Sequence, residues 1–131
     1  MKTLKILFSV LLLSVFVTSC SSDDDNSTKV KYEIVGLDSS VTEIKYKKGN
    51  GSVVTLNNFE DFAGGNSSKT VSVSDYPFTA NLEVTANNTS SSTKTYTLAI
   101  TVNGVPEDFT PLVVPANSTA TAVVDFVIET E

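Results

Sequence analysis

A period-two alternation of apolar and polar residues runs along the chain from residue 29, and it limits the fold more than any other feature. Val30, Tyr32 and Ile34 alternate with Lys31 and Glu33 at its start. The same pattern recurs around residues 44–46, 71–73, 82–86, 96–102 and 122–128. Successive side chains of a strand point to opposite faces, so this period indicates strands with one buried and one solvated face. The 3.6-residue period of an amphipathic helix does not occur after residue 28, which favours an all-β fold.

Turn-forming residues separate these apolar stretches. Gly49-Asn50-Gly51 precedes Val53, and Asn103-Gly104 stands between Val102 and Val105. Asn-Gly between two alternating segments is the strongest short-range signal for a β-hairpin. We expect Asn87-Asn88 to close another strand pair, and the four prolines to lie at strand starts or edges, where a missing N–H is tolerated.

The alternation and the turns together predict seven or eight strands, at residues 29–36, 41–48, 52–57, 69–74, 79–87, 93–103, 108–114 and 119–129. That number of strands in about a hundred residues is typical of an immunoglobulin-like sandwich. We therefore predict an all-β, immunoglobulin-like two-sheet sandwich of antiparallel strands. Its two inner faces can form one core without a disulfide.

The first twenty residues have the composition of a sorting signal. Lys2 and Lys5 are followed by an apolar segment, residues 6–17, which is too short for a bilayer-spanning helix. The segment ends in Val17-Thr18-Ser19-Cys20, which resembles a bacterial lipobox and contains the single Cys of the chain. The resemblance implies cleavage before Cys20, whose thiol and amine are then acylated. The alternative is an ordinary signal peptide followed by a free or buried Cys.

An acidic stretch without apolar residues follows the candidate lipidation site. Residues 20–28 include Asp23, Asp24 and Asp25, and such a segment is expected to be a solvated tether. Cys-Ser-Ser-Asp-Asp-Asp resembles the acidic export signal of surface-exposed lipoproteins in Bacteroidetes-type bacteria. The resemblance implies export to the cell surface. The alternative is a passive spacer that leaves the domain facing the periplasm.

The composition disfavours several classes of function. The chain has no His, and all nine of its basic residues are Lys. Without His, a Ser-His-Asp or Cys-His nucleophile and an imidazole metal ligand cannot form. Seven lysines and all 15 acidic residues lie after residue 19, which gives that part a net charge of −8. Such a charge is unfavourable for binding nucleic acid or an anionic membrane face, so attachment to a membrane is expected to come from the lipid on Cys20.

Five segments, in order along the chain, resemble MmpS-like domains. They are Tyr32-Glu33-Ile34-Val35-Gly36, residues 44–51, residues 69–73, residues 80–87, which resemble the family's A-x-L-x-(V/A)-x-A-x-N strand, and Leu98-Ala99-Ile100-Thr101-Val102-Asn103-Gly104. The resemblance implies a small envelope-anchored β-sandwich, with mycobacterial members assisting lipid and siderophore exporters. This chain departs from the family in having a candidate lipidated Cys in place of a transmembrane helix.

Two acidic pairs and four aromatic residues are the remaining candidates. Glu60-Asp61 and Glu107-Asp108 could supply Ca²⁺ ligands or an acid and a base, although the spacing of a known calcium loop is absent, and solvated loops explain them more simply. Phe59, Phe62, Tyr76 and Phe78 flank the longest irregular segments. They form either a contact patch for a carbohydrate or protein, or plugs that close the ends of the sandwich.

The sequence thus predicts a lipoprotein signal peptide at 1–19, a lipid-anchored acidic tether at 20–28 and a β-sandwich domain at 29–131. We expect a non-enzymatic outer-membrane lipoprotein, without cofactor or metal, that is exposed at the cell surface. Its role is binding or structural, with an envelope protein, a glycan or a host surface as partner. The alternative is an accessory subunit of an envelope transport complex, as in MmpS-like proteins.

Overall fold

The computed structural model describes residues 26–62 and 67–130, and their regular structure is almost entirely β-strand. A single turn of 3-10 helix, Glu60–Phe62, interrupts the strands. The eight strands are β1 Thr28–Val35, β2 Val41–Lys47, β3 Val53–Leu56, β4 Ser68–Val73, β5 Phe78–Asn88, β6 Lys94–Val102, β7 Val105–Val114 and β8 Ser118–Ile128.

The strands form two four-stranded antiparallel sheets. Sheet A has the order β4-β1-β6-β7, and sheet B has the order β3-β2-β5-β8. Two sheets pack face to face when each has one apolar face, because only then do both bury it. The prediction of an all-β, two-sheet antiparallel sandwich with immunoglobulin-like dimensions is confirmed.

The core lies between the sheets and follows the alternation seen in the sequence. On β6, Leu98 and Ile100 are fully buried, whereas Thr97 and Thr101 are only half-buried on the outer face, as the alternation predicts. The largest buried residues are Tyr32, Tyr96, Phe62, Ile34, Ile44, Leu82, Leu98 and Ile100. Burial of this much apolar surface in one cluster is the main stabilising contribution to such a domain.

An aromatic chain crosses the core beside β3 and the 3-10 turn. The ring of Tyr46 lies 5.7 Å from that of Tyr32 and 5.8 Å from that of Phe62, measured between centroids. The hydroxyl of Tyr32 donates a hydrogen bond of 2.8 Å to the carbonyl oxygen of Lys47. Burial raises the pKa of Tyr32 to about 12.

The β6–β7 hairpin turns at Asn103-Gly104, as predicted. Both residues have the left-handed φ values, 48° and 82°, that this two-residue turn requires. The strand that follows begins at Val105, so the predicted start at residue 108 is wrong. The two-residue turn places Val105 directly opposite Val102, and Pro106 is tolerated because β7 is an edge strand.

The expectation that Asn87-Asn88 closes a strand pair is also wrong. β5 pairs with β2 and β8, whereas β6 pairs with β1 and β7, so residues 89–93 cross from one sheet to the other. Asn is common both in tight hairpin turns and in loops that cross from one sheet to the other. Asn87-Asn88 therefore does not indicate which of the two follows β5.

The sandwich has two ends with different neighbours. The base end, where β1 begins, holds the Asn103-Gly104 turn, whose Asn103 side chain accepts a hydrogen bond of 2.8 Å from the Lys29 amide. The far end holds the β1–β2 loop and the β7–β8 turn, in which the Asn117 amide donates to the carbonyl of Ser90. Asn26, the first residue that the structure describes, lies at the base end beside Thr28 and Asn103.

Candidate interaction surface

A strip of apolar side chains lies on the outer face of sheet A and is centred on β7. We call it the β7 strip; it consists of Val35, Ala99, Phe109, Pro111 and Val113. The strand register places Phe109 beside Ala99, and it places Pro111 and Val35 on either side of Thr97. The members therefore occupy neighbouring rows of one face.

The side chains of the β7 strip are largely in solvent. Phe109 is 71% exposed, Val35 54% and Val113 52%. Isolated exposed apolar residues are common on any protein surface, but neighbouring ones mark contact sites more often. Phe109 lies in the row of Glu33, five residues beyond Thr28, which puts it roughly 17 Å from the base end.

The β7 strand itself carries negative charge, because it contains two acidic residues and no lysine. Glu107 and Asp108 stand on β7 next to the strip, and both are exposed. Glu33, which flanks the strip on β1, pairs with Lys31 at 2.9 Å. A partner that suits this surface has an apolar projection or pocket with positive charge around it.

The outer face of sheet B has a different chemistry where β2 and β5 meet. Lys45 lies between two carboxylates, at 2.9 Å from both Glu43 and Glu83. These hydrogen bonds raise the pKa of Lys45. Thr85 and Thr121 share a hydrogen bond of 2.8 Å between their hydroxyls. The polar groups on this face satisfy one another, which is typical of a solvated sheet surface.

An ionic cluster fastens the β1–β2 loop to β6 at the far end. Lys94 donates to Asp38 at 2.7 Å and to the Ser40 hydroxyl at 2.6 Å, and Tyr96 donates to Asp38 at 2.8 Å. Burial opposes the ionisation of Asp38, but hydrogen bonds from Lys94, Tyr96 and the Ser40 amide outweigh it and lower the pKa to about 2. The cluster holds a loop in place.

Asn88 is the one buried polar residue among the described residues, and it ties three segments together. Its amide nitrogen lies within hydrogen-bond distance of the carbonyl oxygens of Ser92, Val114 and Pro115, at 2.7 to 3.1 Å. Its side-chain oxygen accepts from the amide and the hydroxyl of Ser90. Asn88 therefore joins the crossover between the sheets to the end of β7, and its role is structural.

A shallow pocket of about 380 Å³ opens at the base end. Thr28, Tyr76, Asn103 and Ile128 are among its lining residues. The hydroxyls of Thr28 and Tyr76 are hydrogen-bonded to each other across it. The pocket lies where the chain enters the sandwich from residue 26.

Of the two candidate acidic pairs, Glu60, Glu107 and Asp108 have described side chains, and all three are exposed. Glu60 is exposed at the 3-10 turn, where its amide donates to the Asn58 side chain at 3.3 Å. The Asp108 carboxylate accepts a hydrogen bond of 2.7 Å from the amide of Phe109. Within 26–62 and 67–130, three or more acidic, His or Cys side chains nowhere come together as they would around a metal ion.

The four aromatic candidates pack against the core. Phe62 and Phe78 are buried, and Phe59 and Tyr76 are half-buried against the same cluster. Of the two interpretations, the one in which they close the sandwich fits these positions. Among the described residues, the exposed aromatic side chain is instead that of Phe109 on β7.

Sequence reasoning missed the β7 strip, although a signal for it exists. Residues 111–114, Pro-Leu-Val-Val, are apolar at every position and so break the alternation of the other strands. Leu112 and Val114 point inward and are buried, while Pro111 and Val113 point outward and are exposed. An uninterrupted apolar stretch on an edge strand is therefore a cue for an apolar outer face.

The candidate lipidation and export residues, Cys20, Asp23, Asp24 and Asp25, lie outside the described residues. Within the part of the chain that the structure describes, no helix has the length and hydropathy to cross a bilayer.

Comparison with known protein families and with curated proteins found no match to this chain.

Proposed function

We propose that this chain is a lipid-anchored binding module of a bacterial outer membrane, and that it contacts a protein partner through the β7 strip. The observation that carries the proposal is the exposure of Phe109 among neighbouring apolar side chains, about 17 Å from the base end. Aromatic residues of this kind dominate the energetics of protein interfaces when a partner covers them.

The two acidic residues beside the strip on β7, Glu107 and Asp108, support a partner with basic groups. Opposite charges at the rim of an interface raise the association rate and select the partner, while the apolar centre supplies most of the affinity. The acidic residues of β7 make an anionic membrane surface a poor occupant. Among the partners expected from the sequence, an envelope or host protein fits this chemistry better than an anionic glycan.

A binding role agrees with the chemistry of the ionisable groups. The chain has no His, and three of the groups with shifted pKa values meet in the far-end cluster, where Lys94 and Tyr96 both donate to Asp38. Their shifts have a structural cause, and none of them faces the β7 strip. We therefore propose no catalytic step.

The partner contact is tested by photo-crosslinking in intact cells. A photoreactive residue replaces Val113 in the full-length chain, and a second variant carries it at Val53, which is 59% exposed on β3. We expect a discrete crosslinked species from position 113 that disappears when Phe109→Ser is added. Crosslinking that is equal at both positions, or that persists with Phe109→Ser, would contradict the proposed site.

The lipid anchor is tested separately, by labelling cells with a fatty-acid probe. Cys20→Ala removes the only thiol that can be acylated, so we expect labelling and membrane fractionation to be lost. Ser21→Ala keeps the thiol and is the matched control. Unchanged labelling of Cys20→Ala would refute the lipoprotein assignment.

Surface export is tested at the acidic stretch. Replacing Asp23, Asp24 and Asp25 with Ala leaves Cys20 intact, so lipidation is expected to continue while exposure at the cell surface falls. Protease shaving of intact cells, compared with lysed cells, measures that exposure. If the variant is as accessible as wild type, the three acids are only a spacer.

The alternative role, an accessory subunit of an envelope transport complex, has one supporting observation. The five segments that resemble MmpS-like domains fall on β1, β2, β4, β5 and β6 and on the turns that follow β1, β2 and β6. This role requires a domain that faces the periplasm. Wild-type protein that is inaccessible to protease until lysis, together with recovery of a membrane complex, would favour it.

A further inference from the structure

Of the four edge strands formed by residues 26–62 and 67–130, only β8 offers a long, regular and unprotected backbone edge. β3 has four residues, and β4 carries Lys69 on the same side of the sheet as the buried Tyr32. β7 is interrupted by a bulge opposite Ile100 and Thr101 and contains two prolines. Short strands, inward lysines, bulges and prolines are the means by which proteins prevent edge-to-edge pairing. β8 has none of them.

The pairing of β8 is one-sided and regular. All eleven of its residues are in register with β5, without a shift, and its other side has no strand partner in the sheet. A strand of this length spans about 37 Å and carries unpaired N–H and C=O groups along its free side. Ala122 and Phe126 point toward the core but stay only half-buried, so the free side also exposes apolar surface.

We propose that β8 pairs with β8 of a second copy of this chain, antiparallel and across a two-fold axis at Val123. The strand is almost free of charge, since Asp125 is its only ionisable residue. With the axis at Val123, Asp125 faces Thr121 of the second copy and no like charges meet. An axis at Asp125 would place two carboxylates opposite each other, which is unfavourable.

The side chains of β8 are self-complementary in this register. On the inner face, Ala120 lies opposite Phe126 of the second copy, and Ala122 opposite Val124, so that each small residue faces a larger one. On the outer face, Val123 meets its own copy and Thr119 meets Val127. Val123 and Val127 are 44% and 50% exposed in the single chain. Pairing joins the two copies of sheet B into one eight-stranded sheet.

A second copy cannot extend sheet A in the same way, because Pro106 and Pro111 on its edge strand β7 supply no N–H to a neighbouring strand. The β7 strip therefore stays available on each copy. The inference does not depend on the partner proposed for that strip, and the two can fail separately.

Disulfide trapping in the full-length chain tests the pairing. Opposite residues of antiparallel strands have Cα atoms about 4.5 to 5.5 Å apart, within the range that a disulfide spans. We expect Val123→Cys to give a species of twice the mass after mild oxidation, at least about tenfold more than Val53→Cys on β3. The wild-type chain reports any background from Cys20.

The register has its own test. Thr121→Cys and Asp125→Cys are predicted to crosslink only when the two variants are produced together. Each residue lies about 13 Å from its own counterpart along the paired strands, which is beyond disulfide reach. Crosslinking of either variant with itself would overturn the axis at Val123.

A matched pair of lysine variants tests how much the contact at Val123 contributes to the stability of the dimer. Val123→Lys places two ammonium groups opposite each other at the axis, whereas Val127→Lys puts one opposite Thr119. We expect sedimentation to show a dimer association constant that is about two- to fivefold lower with Val123→Lys than with Val127→Lys. The proposal is overturned if the two lysine variants have equal dimer association constants, or if Val123→Cys is trapped no more than Val53→Cys. It is also overturned if Val123→Cys is trapped on a different protein. Phe109→Ser is expected to leave the trapping unchanged.

Discussion

β7 and β8 follow each other in the chain, have nearly the same length and both form the edge of a sheet, yet their edges are opposite in character. β7 has a bulge and two prolines, and its apolar outer side chains are in solvent. β8 has an unbroken register and no proline. A partner can therefore recognise β7 only through side chains, whereas β8 also presents its backbone.

This difference shows how one small sandwich can separate a contact made through side chains, on β7, from a contact made through the backbone, on β8. An exposed apolar surface on a strand with a free backbone edge favours uncontrolled strand addition. The prolines of β7 remove that risk where the apolar exposure is greatest, at Phe109. On β8 the exposed residues are smaller, and the backbone edge can be satisfied by a single copy of itself.

The largest effect is expected from loss of the core beneath β7. Leu98 is fully buried on β6, next to β7, and Leu98→Ala should lower the free energy of unfolding by about 2 to 5 kcal/mol through lost burial and a cavity. Thr97→Ala, on the outer face of the same strand, should cost no more than about 0.5 kcal/mol. Denaturant unfolding measures both. Equal losses would mean that a further layer covers the outer face.

The next largest effect is expected at Asn88, whose side chain links the crossover at residues 89–93 to the start of the β7–β8 turn. Asn88→Ala leaves the carbonyls of Val114 and Pro115 without their side-chain donor, so we expect a loss of about 1 to 3 kcal/mol. Asn87→Ala removes an exposed amide on the same strand and is the control. If both variants unfold at the same denaturant concentration, Asn88 does not hold β7 to the crossover.

A smaller, pH-dependent effect is expected where the far-end cluster fastens a loop to β6, the neighbour of β7. The pKa of Asp38 is about 2 in the folded protein, against roughly 3.9 when unfolded, so its contribution is present above about pH 4 and disappears toward pH 2. Its carboxylate is partly exposed, which limits the contribution to about 1 kcal/mol.

Asp38→Asn should therefore be less stable than wild type at pH 6, and the difference should fall to a small fraction of that value by pH 2. Urea unfolding across this range measures the difference. A constant difference at all pH values would show that the ionised carboxylate is not the stabilising group.

The smallest effect on stability is expected from Pro111→Thr, which gives β7 a backbone N–H at its free edge. Removing a proline increases the entropy of the unfolded chain, so we expect a loss below about 1 kcal/mol. Self-association should rise, and combining the change with Val123→Lys isolates the contribution of β7. If sedimentation shows no association through β7 in the double variant, the prolines are not what protects that edge.

The sequence predicted the strands well where one face is buried and the other polar. β1, β2 and β6 have clean alternation, and the inward positions of Tyr32, Ile44 and Leu98 followed from it. It failed at the first residues of β7, because Pro106 and the acidic pair Glu107-Asp108 look like a loop and only edge-strand context makes them tolerable. Which strands pair when they are distant in the chain likewise cannot be predicted from local sequence patterns.

The candidate surface was less predictable than the fold. Phe109 lies on the outer face of sheet A, and the bulge that precedes it interrupts the alternation from which its face could have been predicted. The structural role of Asn88 depends on carbonyls 26 and 27 residues away in the chain. Cys20 and the three acids after it, by contrast, were identified from composition and order alone, and their roles stay predictions.

Residue-resolved amide hydrogen exchange of the purified full-length chain, at low and high protein concentration, tests the contrast between the two edges. We predict that amides of β8 that point away from β5 exchange quickly in dilute protein and become protected when the chain is concentrated. The amides of β7 should exchange at the same rate at both concentrations. Protection that rises on β7, or that stays constant on β8, would contradict the assignment of β8 as the pairing edge.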